Sequence, residues 1–320
     1  MNQKDIGEIS QTKQFLYYSG WFIQQKIGIR KPLVNTMILH LACNLSCEHC
    51  DARNQAEVST GIASLSFISA KEKMEDLYKR GARVAYFEGG EPTIWKDGNK
   101  NLSDLILLAK EIGYFTTGYT TNGTGTFFLQ SDVISISLDG PKEIHDKIRA
   151  PGTYQALMKN LEKINHPNIF ANMVITKSNL NYVAETVQLV EKNPKIQGIM
   201  LNFLTPPPQS LEIQPEEREK AVQLILALKD QNAPILNTKP ALRKLIKGDF
   251  SEQCPLWMSA FILPDGSEVF GCPLKSDPSC SHCGFDAVRE YSLIAQGHLP
   301  AIFEMSKRFA FRGAKRQLAR

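Results

Sequence analysis

The chain has 320 residues, of which 42% are apolar and 22% charged, with a formal net charge of +4. That is long enough for one large α/β core with a small appendage, and the mild basicity gives no ground for a nucleic-acid partner. No apolar run approaches the ~20 residues of a membrane span, and the polar start MNQKDIGEISQTKQ lacks a secretory apolar core, so the expected compartment is the reducing cytoplasm.

Residues 1–32 read as a helical extension carrying Phe15-Leu16-Tyr17-Tyr18 and Trp21-Phe22-Ile23. From 34 onward, short β-branched, apolar runs alternate with helical ones. Strands are predicted at 34–41, 82–87, 114–119, 132–138, 169–175 and 196–203, nearly continuous in apolar character as in a parallel sheet buried on both faces. Helices are predicted near 69–80, 101–112, 153–164, 179–192 and 215–231, with Ser69 and Asn179 as N-caps. Six βα units with right-handed crossovers predict a partial (β/α)6 barrel over 33–232, two units short of a closed one. Pro206-Pro207-Pro208 marks the exit from the sixth strand. Residues 233–290 break the rhythm, with one hairpin signal in FILPDGSEVF at 261–270. The rest, 291–320, is expected as a basic helix whose end, SKRFAFRGAKRQLAR, carries six Lys or Arg.

The seven cysteines fall into two groups. In a reducing compartment they point to metal sites rather than disulfides. Cys43, Cys47 and Cys50 form C-x3-C-x2-C just after the first strand, at the end of the barrel where catalytic groups sit. Three thiolates on one short loop can hold three irons of a 4Fe–4S cube and leave the fourth iron open. A zinc knuckle, with His49 or His40 as fourth ligand, is the competing reading.

This spacing in this place resembles the radical S-adenosylmethionine (SAM) superfamily, and the likeness runs through residues 33–205. Gly89-Gly90-Glu91-Pro92 is similar to the family's GGEP motif, which implies that Glu91 and the backbone receive the amino group of SAM. Glycine there would allow close backbone approach. His49 takes the place of a usual aromatic residue, and Thr121-Asn122-Gly123 matches a frequent turn. Ser137 and Asp139, in SISLDG, lie where the family has residues near the ribose and substrate. His145 to Arg149 (HDKIR) resembles a segment of members that modify peptides and small molecules. Asn172, Thr176, Gly198 and Ile199 are further candidates for SAM contact. The chain departs from the family at Glu88, where small or hydroxyl residues are common; it is expected to be structural.

Cys254, Cys272, Cys280 and Cys283 resemble the auxiliary-cluster extension called SPASM, or its short form, Twitch. Four cysteines suffice for one closed 4Fe–4S cluster, which suits electron transfer; a four-cysteine zinc site is the alternative. The run CSHCGFDAVREYSLI is loosely similar to the C-terminus of enzymes related to adenosylhopene synthase. Basic residues interleaved with Phe309, Phe311 and Leu318 fit peripheral membrane contact.

The resemblance implies an enzyme that reductively cleaves SAM to a 5′-deoxyadenosyl radical for C–H activation. The protein would orient the cofactor and exclude water. A flavodoxin- or ferredoxin-type donor would supply the electron. The substrate is a small molecule, a lipid or a peptide. A SPASM-type peptide maturase is one alternative, although some 30 residues before the barrel are few for a leader-binding domain. A non-catalytic zinc protein on the same scaffold is the other.

Overall fold

The computed structural model describes residues 10–50, 63–246 and 250–305. The basic stretch 306–320 and the first nine residues lie outside them. A first helix, α1 (Gln11–Lys26), is capped by Ser10, whose hydroxyl accepts from the Lys13 N–H. Trp21 on its buried side donates to the Lys31 carbonyl and stacks on Trp257, which seats the extension on the body.

The six predicted strands are present as β1 (Val34–Ile38), β2 (Val84–Glu88), β3 (Thr116–Thr121), β4 (Val133–Ser137), β5 (Ile169–Ile175) and β6 (Ile199–Phe203). They pair in parallel in that order. The connecting helices are α2 (Phe67–Arg80), α3 (Leu102–Ile112), α4 (Lys142–Arg149), α5 (Thr153–Glu162), α6 (Val183–Lys192) and α7 (Pro215–Asp230). After them come α8 (Lys239–Ile246), the hairpin β7 (Ser259–Ile262) and β8 (Glu268–Phe270), and α9 (Asp286–Gln296).

The 261–270 hairpin signal is present as β7 and β8, but it extends the barrel sheet instead of standing apart. β7 pairs in parallel with β1, Val34 opposite Ser259 and Met37 opposite Ile262. The sheet therefore has eight strands in the order β8-β7-β1-β2-β3-β4-β5-β6, and only β8 is antiparallel. α9 is fixed to the other edge, where the Asp286 N–H donates to Asn202 on β6 at 2.9 Å.

The strands are not buried equally on both faces. On β2, Ala85 and Phe87 are fully buried with Met74, Leu77 and Ile106 in the core between sheet and helices, whereas Tyr86 and Glu88 point the other way and keep some exposure. An incompletely closed barrel has a lumen, and alternate residues face it. Two caps also differ from expectation. Ser66, not Ser69, caps α2, its Oγ accepting from the Ser69 N–H at 3.1 Å. Asn179 precedes a 3-10 turn, and its side chain caps no helix.

Candidate active site at the mouth of the barrel

The loop after β1 is built against the GGEP segment by backbone pairing. The Leu39 N–H donates to the Glu88 carbonyl, Gly90 N–H to His40 and Glu91 N–H to Ala42, at 2.7–2.9 Å. The two glycines exist for this contact. Gly89 has φ +145°, and a Cβ on Gly90 would lie 2.0 Å from the Ala42 carbonyl oxygen. It is the backbone leading to the cysteines, more than a ligand, that excludes side chains here.

Cys47 is buried, 8% exposed, and Cys43 and Cys50 are half-buried. The Cys43 sulfur accepts from the Leu45 N–H at 3.4 Å and lies 4.0 Å from Asn122 Nδ2. Arg149 Nη1 reaches the Cys47 sulfur at 3.8 Å. Burial pushes the Cys47 thiol up to about 11 and raises Cys43 as well. Such thiols become thiolates when a metal takes the proton's place. Among the described residues no three His, Cys, Asp or Glu side chains converge on a single ion. Thiolates that each bind a different iron of a cube do not need to, so the donor set fits a 4Fe–4S cluster held by Cys43, Cys47 and Cys50.

Glu91 is 2% exposed, and both its oxygens are taken by the protein. Oε1 accepts from the Thr93 N–H (3.1 Å), the Thr93 hydroxyl (2.6 Å) and the Thr121 hydroxyl (2.8 Å). Oε2 accepts from the Asn122 N–H at 2.8 Å. The carboxylate thus fastens the turn after β3 to GGEP. Pro92, itself buried, opens a 3-10 turn directly after it. Asn122 continues the chain of contacts, donating from Nδ2 to Asn44 at 2.8 Å and accepting from Thr124.

Asp139 is fully buried at the centre of a second network. Its Oδ2 accepts from Arg149 Nε at 2.6 Å and lies 4.0 Å from His49 Nε2; Oδ1 accepts from the Val174 N–H at 3.0 Å. Burial alone would raise its carboxyl, but Arg149, His49 and the Val174 N–H hold it below the ordinary carboxylate value. Burial lowers His49, and the ring's other nitrogen has no hydrogen-bond partner among the described residues. His145 Nδ1 accepts from the Asp139 N–H at 3.3 Å. Asn179 Nδ2 donates to the Asp139 carbonyl at 3.0 Å.

Ser137 and Asn172 are in register on the lumen face of β4 and β5, and Asn202 on β6 donates to Asn172 Oδ1 at 2.8 Å. Thr176 does not join them. Its hydroxyl accepts from the Ser178 N–H and its own N–H donates to Asn179, so it is spent on a turn. Ile199 sits opposite Ala171 on the alternate face, in the core toward the helices, where it cannot line the lumen.

Residue-type reasoning passed over the lumen itself. The Tyr86 ring lies across Gly118 and its hydroxyl reaches Ser135 at 2.7 Å and Thr120 at 3.1 Å. Glu88, one step nearer the mouth, has only the Thr120 hydroxyl at 3.5 Å, and burial raises its carboxyl. Tyr291 of α9 is near enough to be raised by Glu88, after burial, to about 12. The signal was present in the sequence: polar residues recur two apart on β2 and β4, in phase with Ser137.

In the second cysteine group, Cys254 precedes β7, Cys272 follows β8, and Cys280 and Cys283 precede α9. Burial first, and then Cys272, Cys283 and Cys280, push the Cys254 thiol up to about 12. Cys272 accepts from the Leu274 N–H at 3.4 Å, and Cys280 donates to the Leu274 carbonyl at 3.2 Å. Two arginines, Arg218 and Arg289, both donate to the Cys283 carbonyl, at 2.8 and 2.6 Å.

Comparison with known proteins agrees with this geometry. A family model for the radical SAM superfamily matches residues 37–190. The Fe-coproporphyrin III synthase of Methanosarcina barkeri is 30% identical over 215 residues, covering 62% of this chain and 51% of that protein. A cysteine-type anaerobic sulfatase-maturating enzyme of Clostridium novyi is 29% identical over 178 residues, covering 47% and 45%. The chain thus spans about half the length of these curated relatives. The solved structure of native anSMEcpe with bound AdoMet and Kp18Cys peptide superposes with a TM-score of 0.59 at 18% identity, covering 82% of this chain and 80% of that one. The cysteine tripod tied to a GGEP turn, on a parallel sheet of this topology, lies within residues 37–190, the stretch that matches the radical SAM superfamily.

Proposed function

We propose that this chain is an enzyme that cleaves SAM reductively and uses the product radical to activate a C–H bond of a peptide side chain. The observation that carries the reading is the tripod of Cys43, Cys47 and Cys50 on a loop fastened to GGEP by three backbone hydrogen bonds. The 4Fe–4S cluster that Cys43, Cys47 and Cys50 would hold would supply the electron, and bound SAM the 5′-deoxyadenosyl group.

The protein's part is positional. Gly89 and Gly90 let the SAM-binding turn run against the cysteine loop, and Glu91 locks the turn after β3 to it. Arg149 places a fixed positive charge beside the Cys47 sulfur, held by Asp139. Ser137, Asn172 and Asn202 offer hydrogen bonds from the lumen wall. Glu88 offers a carboxylate with one weak partner, placed to accept a hydrogen bond from substrate. Tyr86 closes the floor beneath them.

A peptide substrate is supported by the sulfatase-maturating relative and by the peptide bound in the solved neighbour. The synthase named for Fe-coproporphyrin III favours a tetrapyrrole as the second reading. The four-cysteine site is read as an auxiliary 4Fe–4S cluster that relays electrons, and a flavodoxin- or ferredoxin-type protein as the donor to the first cluster.

The test is anaerobic reconstitution of the wild type and of the Cys43→Ala/Cys47→Ala/Cys50→Ala variant, with iron, sulfide and 5′-deoxyadenosine measured after SAM and dithionite are added. About eight irons in the wild type, about four in the variant, and 5′-deoxyadenosine from the wild type alone are expected. Zinc without sulfide in the wild type overturns the reading.

A further inference from the structure

Arg218 on α7 and Arg289 on α9 stand side by side behind the four-cysteine site. Their Nη2 atoms share one acceptor, the carbonyl oxygen of Cys283, at 2.8 and 2.6 Å. Arg218 Nη1 also donates to the His282 carbonyl, and Arg289 Nη1 to that of Phe285. Aromatic faces back both, Phe203 behind Arg218 and Phe250 behind Arg289. Arg289 is 1% exposed, and the Nε of each guanidinium is buried without a hydrogen-bond partner.

Two adjacent cations, one buried and one half-buried, repel and lose hydration, so they need a nearby anion. Among the described residues neither guanidinium has a carboxylate within salt-bridge distance. Glu290 spends both carboxylate oxygens on Thr238. Burial, and then Glu290, raise the Asp286 carboxyl. The groups near enough to balance the two cations are Cys283, Asp286 and Cys254 at Arg289, and Cys283 at Arg218.

We propose that Arg218 and Arg289 form a cationic wall that raises the reduction potential of the centre the four cysteines hold. The inference rests on reading that centre as an iron–sulfur cluster. The physical reason is simple. Four thiolates around a cluster leave a net negative charge, one-electron reduction makes it more negative, and a fixed positive charge nearby stabilises the reduced form more. Hydrogen bonds to the ligand backbone add in the same direction.

The test isolates the second site in the full-length Cys43→Ala/Cys47→Ala/Cys50→Ala background. Arg218→Gln, Arg218→Lys and Arg289→Gln are added singly, and each protein is reconstituted anaerobically. Iron and sulfide are counted, and the potential is followed by EPR during redox titration. In Arg218→Gln the reduction equilibrium is expected to fall at least about tenfold, about 59 mV for a one-electron couple. Arg218→Lys, which keeps the charge, is expected to recover most of it. Loss of iron from Arg218→Gln but not from Arg218→Lys also supports the wall. Arg289→Gln, at the more buried position, is read only if its circular dichroism matches the parent. Iron-loaded glutamine variants with unchanged potential overturn the proposal and leave the cluster reading standing, as does equal iron loss from Arg218→Gln and Arg218→Lys. A parent background without iron and sulfide overturns both.

Discussion

Arg149 donates from Nε to Oδ2 of Asp139 at 2.6 Å, with the two side chains 8% and 0% exposed. Breaking a buried pair from one side leaves the other charge without compensation, which costs about 3–5 kcal/mol. Asp139→Asn is therefore expected to lower unfolding free energy by that order, since Arg149 loses its anion. Urea unfolding under anaerobic conditions measures it. A midpoint equal to wild type would mean that the pair contributes no net stability.

His145 gives a pH prediction. It is fully buried, and burial, followed by Arg149, lowers it to about 4. The unfolded chain binds this proton near pH 6.5, the folded chain only near 4, so between these values the unfolded state holds more protons. Stability should thus be intact above about pH 6.5 and fall as the pH drops toward 4, by about 3 kcal/mol from this residue. His145→Gln should flatten that part of the stability profile while shifting its neutral plateau. A profile of unchanged slope between pH 4 and 6.5 would assign the acid sensitivity elsewhere.

Gly90→Ala should act on the cysteine loop before it acts on SAM. The new methyl would lie 2.0 Å from the Ala42 carbonyl oxygen and 2.5 Å from that of Leu41. Neither can yield without moving the approach to Cys43. The expected result is a protein of near-normal circular dichroism that takes up about half the iron and sulfide of wild type, because only the second site fills. Full iron loading with weakened SAM binding would show instead that the glycine serves the ligand.

Glu91→Gln replaces an acceptor by a donor against the Asn122 N–H or the two threonine hydroxyls. One buried N–H left unpaired costs about 1–3 kcal/mol, and the threonine hydroxyls can rotate to meet only part of the change. A lowered melting temperature of the apo protein, seen before any SAM is added, is expected. A SAM-binding defect with an unchanged melt would return the carboxylate to the ligand.

Local chemistry was readable in the sequence, and long-range contact was not. The tripod, GGEP and the TNG turn are contiguous residues whose spacing carries their purpose, and the six strands announced themselves by composition. Arg149 was visible within HDKIR, but its reach to Cys47 spans 102 positions, and no local pattern specifies it. Asn179 looked like a helix cap because asparagine favours caps; its amide instead fastens the Asp139 and Val174 carbonyls. Ile199 was read as a candidate for SAM contact from its place on the sixth strand, and strand alternation turns its side chain toward the helices. The hairpin at 261–270 was legible as a hairpin, but its pairing with β1 depends on an edge that composition does not reveal.

That pairing bears on how the chain is made. β1 leaves the ribosome early, and its second neighbour, β7, follows about 220 residues later. At ~5–20 residues per second, the outer edge of the strand that leads into Cys43 stands open for roughly ten to forty-five seconds of synthesis. An open edge of parallel strand invites the wrong partner. Nascent chains stalled before residue 259 should therefore be prone to aggregate and to recruit chaperones, and the first cysteine loop should reach its final support only when the last strands of the sheet arrive.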